Sequence, residues 1–271
     1  MSLAVNQRNN SDGFVKPGEL VTIRGGAELS LQDRRIFNLL IENAWSEIAE
    51  DKAHKIAIAK LRGPTHKGGE RVADSVKRLM TTLVEVPVTL NGEPAIFTTL
   101  LLVDTTQTID ENSPSAVLLY HFPKGMREII RKSQHWGRIK AYVMFAFTSK
   151  YALTLYEALC LRGNLRVSEQ IFSVEAFREL LGIEPGKLAL FKNLKKWALD
   201  LAVEEINALS DFTVEIEPLR EGGQLRGKLK GFRLRWEKKP GEEWGAVMDE
   251  LMRPKVGRRA RIRGKVELVA L

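Results

Sequence analysis

Residues 188–236, LALFKNLKKWALDLAVEEINALSDFTVEIEPLREGGQLRGKLKGFRLRW, decide the fold. A helix is expected from about Leu188 to Leu209, because Leu194, Ala198, Leu201, Ala202, Ile206 and Leu209 recur at helical spacing. A strand over Thr213–Glu217 follows, then a turn at Glu221-Gly222-Gly223 and a second strand from Leu225 to Trp236. Working back toward the N-terminus, Ser173 caps a shorter helix with Phe177, Leu180 and Leu181 apolar and Gly182 at its stop. Ser149 caps another that reaches Leu161, with Ala152, Leu153, Tyr156, Leu159 and Cys160 apolar and Gly163-Asn164 at its end. Pro185-Gly186 supplies the corner between the second and third of these helices. Three short helices followed by a β-hairpin is the order of a winged helix.

The N-terminal half reads similarly but less cleanly. Ser30, with Asp33 three residues on, caps a helix whose apolar positions are Ile36, Phe37, Leu40, Ile41, Ala44, Trp45 and Ile48. A second helix is expected over Val72–Leu83. The Asn91-Gly92 pair then joins strands Val86–Leu90 and Ala95–Val103, since such pairs favour tight hairpin turns. Ser115–Phe122 reads as a third strand and Lys124–His135 as a further helix. Helix, strand, glycine turn and strand thus recur at Val72–Val103 and Lys192–Trp236. Two tandem winged helices account for both, giving an α+β protein. Residues 1–18 are expected to be a flexible N-terminus, 19–146 the first winged helix, 147–240 the second and 241–271 a C-terminal extension.

The chain carries 42 basic and 34 acidic side chains in 271 residues, and their placement matters more than the total. The extension opens with Glu242, Glu243, Asp249 and Glu250. It then turns basic at Arg253, Lys255, Arg258, Arg259, Arg261, Arg263 and Lys265, either as a solvated end or as a phosphate-binding arm. On the third helix of the second unit, Lys192, Lys195 and Lys196 share an arc of about 100° away from the apolar stripe. They precede Asp200, Glu204 and Glu205, an order that opposes the helix dipole. A recognition helix gains from that order, because its first half faces phosphates and base edges; the plain alternative is a solvated face. From Arg220 to Lys239 there are eight basic groups against Glu221 and Glu237. Arg226, Lys228 and Lys230 are expected to overhang as a basic wing, or else to guard an edge strand against aggregation. The apolar run Ile96, Phe97, Leu100, Leu101 and Leu102 calls for cover beyond its own domain, unless it fills that domain's core.

Several chemistries are excluded by residue type and spacing. One cysteine, Cys160, allows neither a disulfide framework nor a cysteine zinc cluster. His54, His66, His121 and His135 never stand at metal-ligand spacing, which removes the histidine pair of an origin-nicking enzyme. Gly182-Ile-Glu-Pro-Gly-Lys187 followed by Leu188 is not a P-loop, and no Gly-x-Ser-x-Gly occurs. No enzyme activity, metal or cofactor is expected. The apolar run Ala141–Phe147 is too short to span a bilayer, and MSLAVNQRNNSDG lacks the layout of a secretory signal, so a cytoplasmic location is expected.

Three stretches carry a family resemblance: FTSKYALTLYEALCLRGN (147–164), FSVEAFRELLGI (172–183) and FKNLKKWALDLAVEEINALSDFTVEIEPLREGGQLRGKLKGFRLRW (191–236). Together with ELVTIRGGAELSLQDRRIFNLLIENA (19–44), they resemble the iteron-binding plasmid replication initiators, the twin winged-helix Rep proteins. The resemblance implies binding of double-stranded DNA at directly repeated origin sequences, help in opening the adjacent duplex, and recruitment of the host replication initiator and replicative helicase. It also implies a homodimer, in equilibrium with monomer, that pairs through the first winged helix. By position, the recognition helix falls on Lys192, Asn193, Lys195, Lys196 and Trp197, with Ser149 and Lys150 near phosphates. The wing contributes Arg220, Arg226, Lys228 and Lys230, and a weaker first-unit contact falls on Arg71, Lys77 and Arg78. A transcriptional repressor on an inverted-repeat operator is the alternative on the same fold.

Overall fold

The computed structural model describes residues 3–62, 71–223 and 227–264. The chain divides into two compact units, Met1–Phe145 and Ala146–Leu271. The first holds β1 (Phe14–Pro17), α1 (Gly18–Val21), α2 (Leu31–Ala44), β2 (His54–Ala57), α3 (Ile58–Arg62), α4 (Val72–Thr81), β3 (Leu83–Leu90), β4 (Glu93–Leu100), β5 (Val103–Gln107), β6 (Val117–His121), α5 (Lys124–Lys132) and β7 (Trp136–Ile139). α6 (Ala141–Ala146) carries the chain across the boundary. The second holds α7 (Lys150–Arg162), β8 (Glu169–Ser173), α8 (Val174–Leu180), α9 (Phe191–Leu194), a π-turn (Lys195–Leu199), α10 (Asp200–Leu209), β9 (Phe212–Arg220), β10 (Leu229–Lys238), α11 (Gly241–Met252) and α12 (Arg258–Ile262).

In the first unit α2 starts where the capping signal placed it. Ser30 Oγ accepts from the Asp33 amide at 3.1 Å, and Asp33 Oδ2 accepts from the Ser30 amide at 2.9 Å. Ile36, Phe37, Leu40, Ile41 and Ala44 are buried as their spacing requires, and Asn38 and Leu39 are buried as well, so the helix is enclosed beyond that one face. Tyr120 reaches that helix from β6, its hydroxyl donating to the Leu40 carbonyl at 2.7 Å. The unit has three antiparallel arrangements: β1 with β7, β2–β6–β5, and the β3–β4 hairpin. The hairpin turns on Asn91 and Gly92, both at positive φ (53° and 88°), the geometry that Asn-Gly supplies at least cost.

Several expectations for this unit need correction. The N-terminus expected to be flexible over 1–18 is built into the fold: Phe14–Pro17 pair with Trp136–Ile139, and the Ala4 amide donates to the Ser133 carbonyl at 2.7 Å. Phe14 and Val15 are buried there, so an apolar strand is anchored where no helical period was visible. The hairpin strand ends at Leu100 rather than Val103. Leu101 and Leu102 turn inward and are fully buried, and Val103 opens β5, which pairs with β6 in another sheet. These two leucines fill the core of their own unit. α5 ends at Lys132, not His135, because the next residues form β7.

In the second unit the three helices and the hairpin stand in the expected order. β8 was not foreseen; it adds a third strand beside β10, in the order β8–β10–β9. Its residues, EQIFS, are almost all exposed, so no apolar alternation announces it. Gly231 permits this pairing, since a Cβ there would lie 2.2 Å from the Phe172 carbonyl oxygen. Gly163 ends α7 without a left-handed turn (φ −61°); its lack of a side chain admits the Phe212 ring, 3.0 Å from where a Cβ would stand. The third helix begins at Phe191 rather than Leu188, because Leu188 has a positive φ of 50°. The second wing strand is described from Leu229, while the expected start at Leu225 lies outside the described residues. Phe177 and Phe232 stack at 4.7 Å between centroids, in a core completed by Leu181, Leu194, Ile206, Leu234 and Trp236.

Candidate nucleic-acid interface

The third helix of the second unit has two halves of different character. α10 is packed, with Ala202, Glu205, Ile206 and Leu209 buried. The first half exposes Lys192, Asn193, Lys195, Lys196 and Trp197, with only Leu194 turned inward before Ala198. The π-turn between them alters the expected pattern. Leu194 and Leu199, five residues apart, are both buried, and Leu201 is only half-buried. The uniform 100° step behind the shared lysine arc therefore does not hold past Lys195. Single π-turns inside α-helices are rare and concentrate at functional sites.

Trp197 is 51% exposed, an unusual state for the largest apolar side chain. The Lys196 ammonium stands 4.6 Å from its ring centroid, and Lys195 Nζ is 2.5 Å from Asp200 Oδ1. The acids that opposed the dipole have partners of their own: Asp200 binds Lys195, Glu204 binds Arg263 at 2.5 Å, and Glu205 binds Thr148 and Ser149. Arg220, where β9 meets its turn, lies over the Phe191 ring at 4.7 Å and donates to the Gly227 carbonyl at 2.8 Å. The start of the exposed helix and the turn end of the wing are thereby joined, a contact that no spacing in the sequence signalled.

The wing is less basic on its surface than its composition. Arg233 and Arg235 lie in an ion-pair ladder with Glu169, Glu215 and Glu217. Glu169 and Glu215 hold the Arg235 guanidinium above its ordinary value. Lys239 Nζ donates to the Ser210 carbonyl at 2.8 Å, and Lys230 sits 3.1 Å from Glu221. The register shifts between Leu229 and Gly231, so Lys230 is the extra residue of a bulge. The face shared by Phe232, Leu234 and Trp236 therefore does not run on through Lys228 and Lys230 as simple alternation implied. Lys228 is exposed, and Arg226 lies outside the described residues.

Ser149 and Lys150 are committed to the protein. Ser149 Oγ accepts from the Tyr151 and Ala152 amides at 3.2 and 3.4 Å, and Lys150 Nζ is 3.3 Å from Glu184. In the first unit Arg71, just before α4, and Lys77 on it are exposed, with Arg71 Nε 3.8 Å from Glu111 Oε1. Arg78 is not available in the same way: its Nε and Nη2 donate to Asp33 at 2.9 and 2.8 Å, so its main role is to tie α4 to α2. The extension, too, is structured through its described residues, 241–264. Arg261 Nη2 and Arg258 Nε stand 2.7 and 3.3 Å from Glu250 Oε1, and Arg261 foremost holds that carboxyl below the usual range. Arg258 and Arg261 also donate to the carbonyls of Leu251, Arg253, Pro254 and Val256, which makes much of the tail's charge internal.

Among the described residues, no group of three or more His, Cys, Asp or Glu side chains is placed to hold a metal ion. Among them, too, no helix is long and apolar enough to cross a membrane.

Comparison with known proteins agrees with this architecture. In fold the chain is similar to the Pi initiator protein, solved in complex with iteron DNA. The TM-score is 0.60 at 16% identity, covering 86% of this chain and 99% of that one. The WH1 domain of a replication protein isolated from a multiple sclerosis patient matches at 15% identity and a TM-score of 0.30, over 41% of this chain and 86% of that one. A search of curated proteins gives no match. Two family models match in order along the chain, "Initiator Replication protein, WH1" over residues 14–160 and "Initiator Rep protein, WH2" over residues 173–236. As the first alone spans more than half of the sequence, the chain belongs to the family of replication initiator proteins built from two winged helices.

Proposed function

We propose that the protein is a plasmid replication initiator that binds directly repeated double-stranded DNA, iterons, through its second unit and performs no catalysis of its own. The observation that carries this reading is the exposed cluster of Lys192, Asn193, Lys195, Lys196 and Trp197 on the first half of a winged helix's third helix. In helix-turn-helix folds that half enters the major groove. Lysines there suit phosphates as point charges, and an asparagine amide matches the paired donor and acceptor of adenine. The Pi initiator of similar fold, solved with iteron DNA, supports the same reading. In this reading Arg71 and Lys77 lend a weaker contact, and the host replication initiator and replicative helicase join the complex in the cytoplasm. A repressor acting as a two-fold dimer on an inverted repeat is the second reading. It is favoured by Leu90 and Ile96 on the β3–β4 hairpin, 64% and 57% exposed, which a partner copy would cover.

The test is equilibrium binding to a duplex that the protein itself selects from a random-sequence pool. Replacing Lys195 and Lys196 together with Ala lowers affinity by about 1–3 kcal/mol if either reads a base, and by less if both touch phosphates. A folded double variant that binds as tightly as wild type would falsify the recognition-helix assignment. Selected direct repeats favour the initiator, and a selected inverted repeat favours the repressor.

A further inference from the structure

Two sequence stretches that stand far apart meet in the second unit. Thr148-Ser149 opens α7, and Glu205-Ile206-Asn207 lies near the end of α10. The Glu205 carboxylate is buried and takes the Thr148 amide at 2.9 and 3.0 Å on its two oxygens, and the Ser149 amide at 3.1 Å. The Thr148 hydroxyl also donates to it, in a short hydrogen bond. Two residues on, Asn207 grips the wing: its Oδ1 accepts from the Val214 amide at 2.7 Å, and its Nδ2 donates to the Val214 carbonyl at 3.0 Å. Ile206, between them, is fully buried. Lys239, which follows β10 beside the start of β9, also donates to the Asn207 carbonyl. One tripeptide thus fastens the third helix to the first helix on one side and to the wing on the other.

We infer that Glu205 and Asn207 are positioning residues for DNA reading, the joint that fixes how the exposed half of the third helix and the wing are presented. The inference rests on the DNA-binding reading given above. It follows from chemistry as well as connectivity. A carboxylate has only acceptors to offer, and here it faces three donors at a helix N-terminus, where the dipole favours negative charge. Charge-assisted hydrogen bonds of this kind are short, directional and about twice as strong as neutral ones. The wing contact is a two-point amide–backbone pair, which fixes rotation as well as distance. Neither residue lies on the exposed face of Lys192 to Trp197, so neither touches DNA in this arrangement. Base readout demands bidentate geometry, whereas phosphate attraction tolerates displacement. A loosened joint therefore costs specificity before it costs non-specific affinity.

The experiment compares full-length wild type with Glu205→Gln, Asn207→Ala and Thr148→Val. Each is titrated with the duplex selected by wild type from a random pool and with a scrambled duplex of equal length. Glu205→Gln places amide donors against the donors of Thr148 and Ser149, and should lower the selected-to-scrambled affinity ratio by about tenfold or more, the worth of one lost base contact. Scrambled-duplex affinity and its salt slope should stay within about twofold of wild type, since no phosphate contact is removed. Thr148→Val deletes only the hydroxyl donor and should give a smaller loss in the same ratio; it carries the test if Glu205→Gln does not fold. Variants that melt earlier yet keep the wild-type ratio when assayed well below their melting temperatures would show the joint to be structural only and overturn the inference. A wild type that enriches no sequence would overturn the DNA-binding reading itself, and the positioning role with it.

Discussion

Replacing Asp33 with Asn tests the tie between α2 and α4 of the first unit. The Asp33 side chain is fully buried, while that of its partner Arg78 is 40% exposed. Asparagine keeps one acceptor for the Ser30 amide but turns N–H donors toward Arg78. The Ser30 cap itself is untouched, so the roughly 1 kcal/mol that a lost cap would cost is not part of the change. Breaking a fully buried ion pair costs roughly 3–5 kcal/mol, and with Arg78 partly in water we take less than half of that. The expected total is about 1–2 kcal/mol, or a fall of roughly 3–7 °C in the melting temperature of a domain this size. Acid supplies a second reading of the same contact. Burial pushes the Asp33 carboxyl up, but hydrogen bonds from Arg78, Ser75 and Ser30 outweigh it and hold the folded value below the ordinary 3.8. The stabilisation is therefore fully present above the unfolded value and is lost as pH falls through the depressed folded one. Urea denaturation of wild type and Asp33→Asn at pH 7 should show the full gap. The gap should narrow steadily as the buffer is taken below about pH 4. Equal stabilities at neutral pH, or a gap that ignores acid, would refute the reasoning.

Leu101→Asp should unfold the first unit, since it forces a charge into a fully buried position, whereas Ile96→Asp on the exposed hairpin should leave the circular dichroism melt intact. Sedimentation of Ile96→Asp across a concentration series should show a shift toward monomer, and an unchanged distribution would remove the hairpin from any self-association. Truncation after Met252 strands Glu250 without Arg258 and Arg261, and Glu204 without Arg263. It should lower the thermal stability of the second unit, while the salt slope for duplex binding falls by far less than seven phosphates' worth at about 0.9 each. A full-sized drop in slope with unchanged stability would return the tail to the DNA.

The parts of this architecture that rest on local chemistry were legible in the sequence. Ser30, Ser149 and Ser173 cap the helices they were expected to cap, and Asn91-Gly92 turns the hairpin. Other parts depend on partners distant in the chain. β8 is held by β10 across some sixty residues and has no apolar period of its own. Arg78 looks like any surface cation until Asp33, 45 positions away, is seen beneath it. The exposed lysines could be read from helical phase and Trp197 from the family resemblance, but the π-turn that breaks that phase could not, because no residue type marks it. Glu205 was noticed as a charge against the dipole; only the fold shows that the opposing charge serves another helix's N-terminus.

The π-turn at Lys195–Leu199 gives the third helix a seam. Behind the seam the chain is pinned in the core by Ala202, Ile206 and Leu209, and ahead of it Leu194 is the one residue of α9 that is buried. A π-turn accommodates one residue more than an α-turn spanning the same rise. Loss of a single codon at the seam would therefore turn it back into an ordinary α-turn and leave both Lys192–Leu194 and the anchored half facing as they do now. Elsewhere in the helix the same indel would drag apolar side chains out of the interior. The seam is thus the place along the third helix where a residue can be lost without turning either the exposed lysines or the buried leucines out of position.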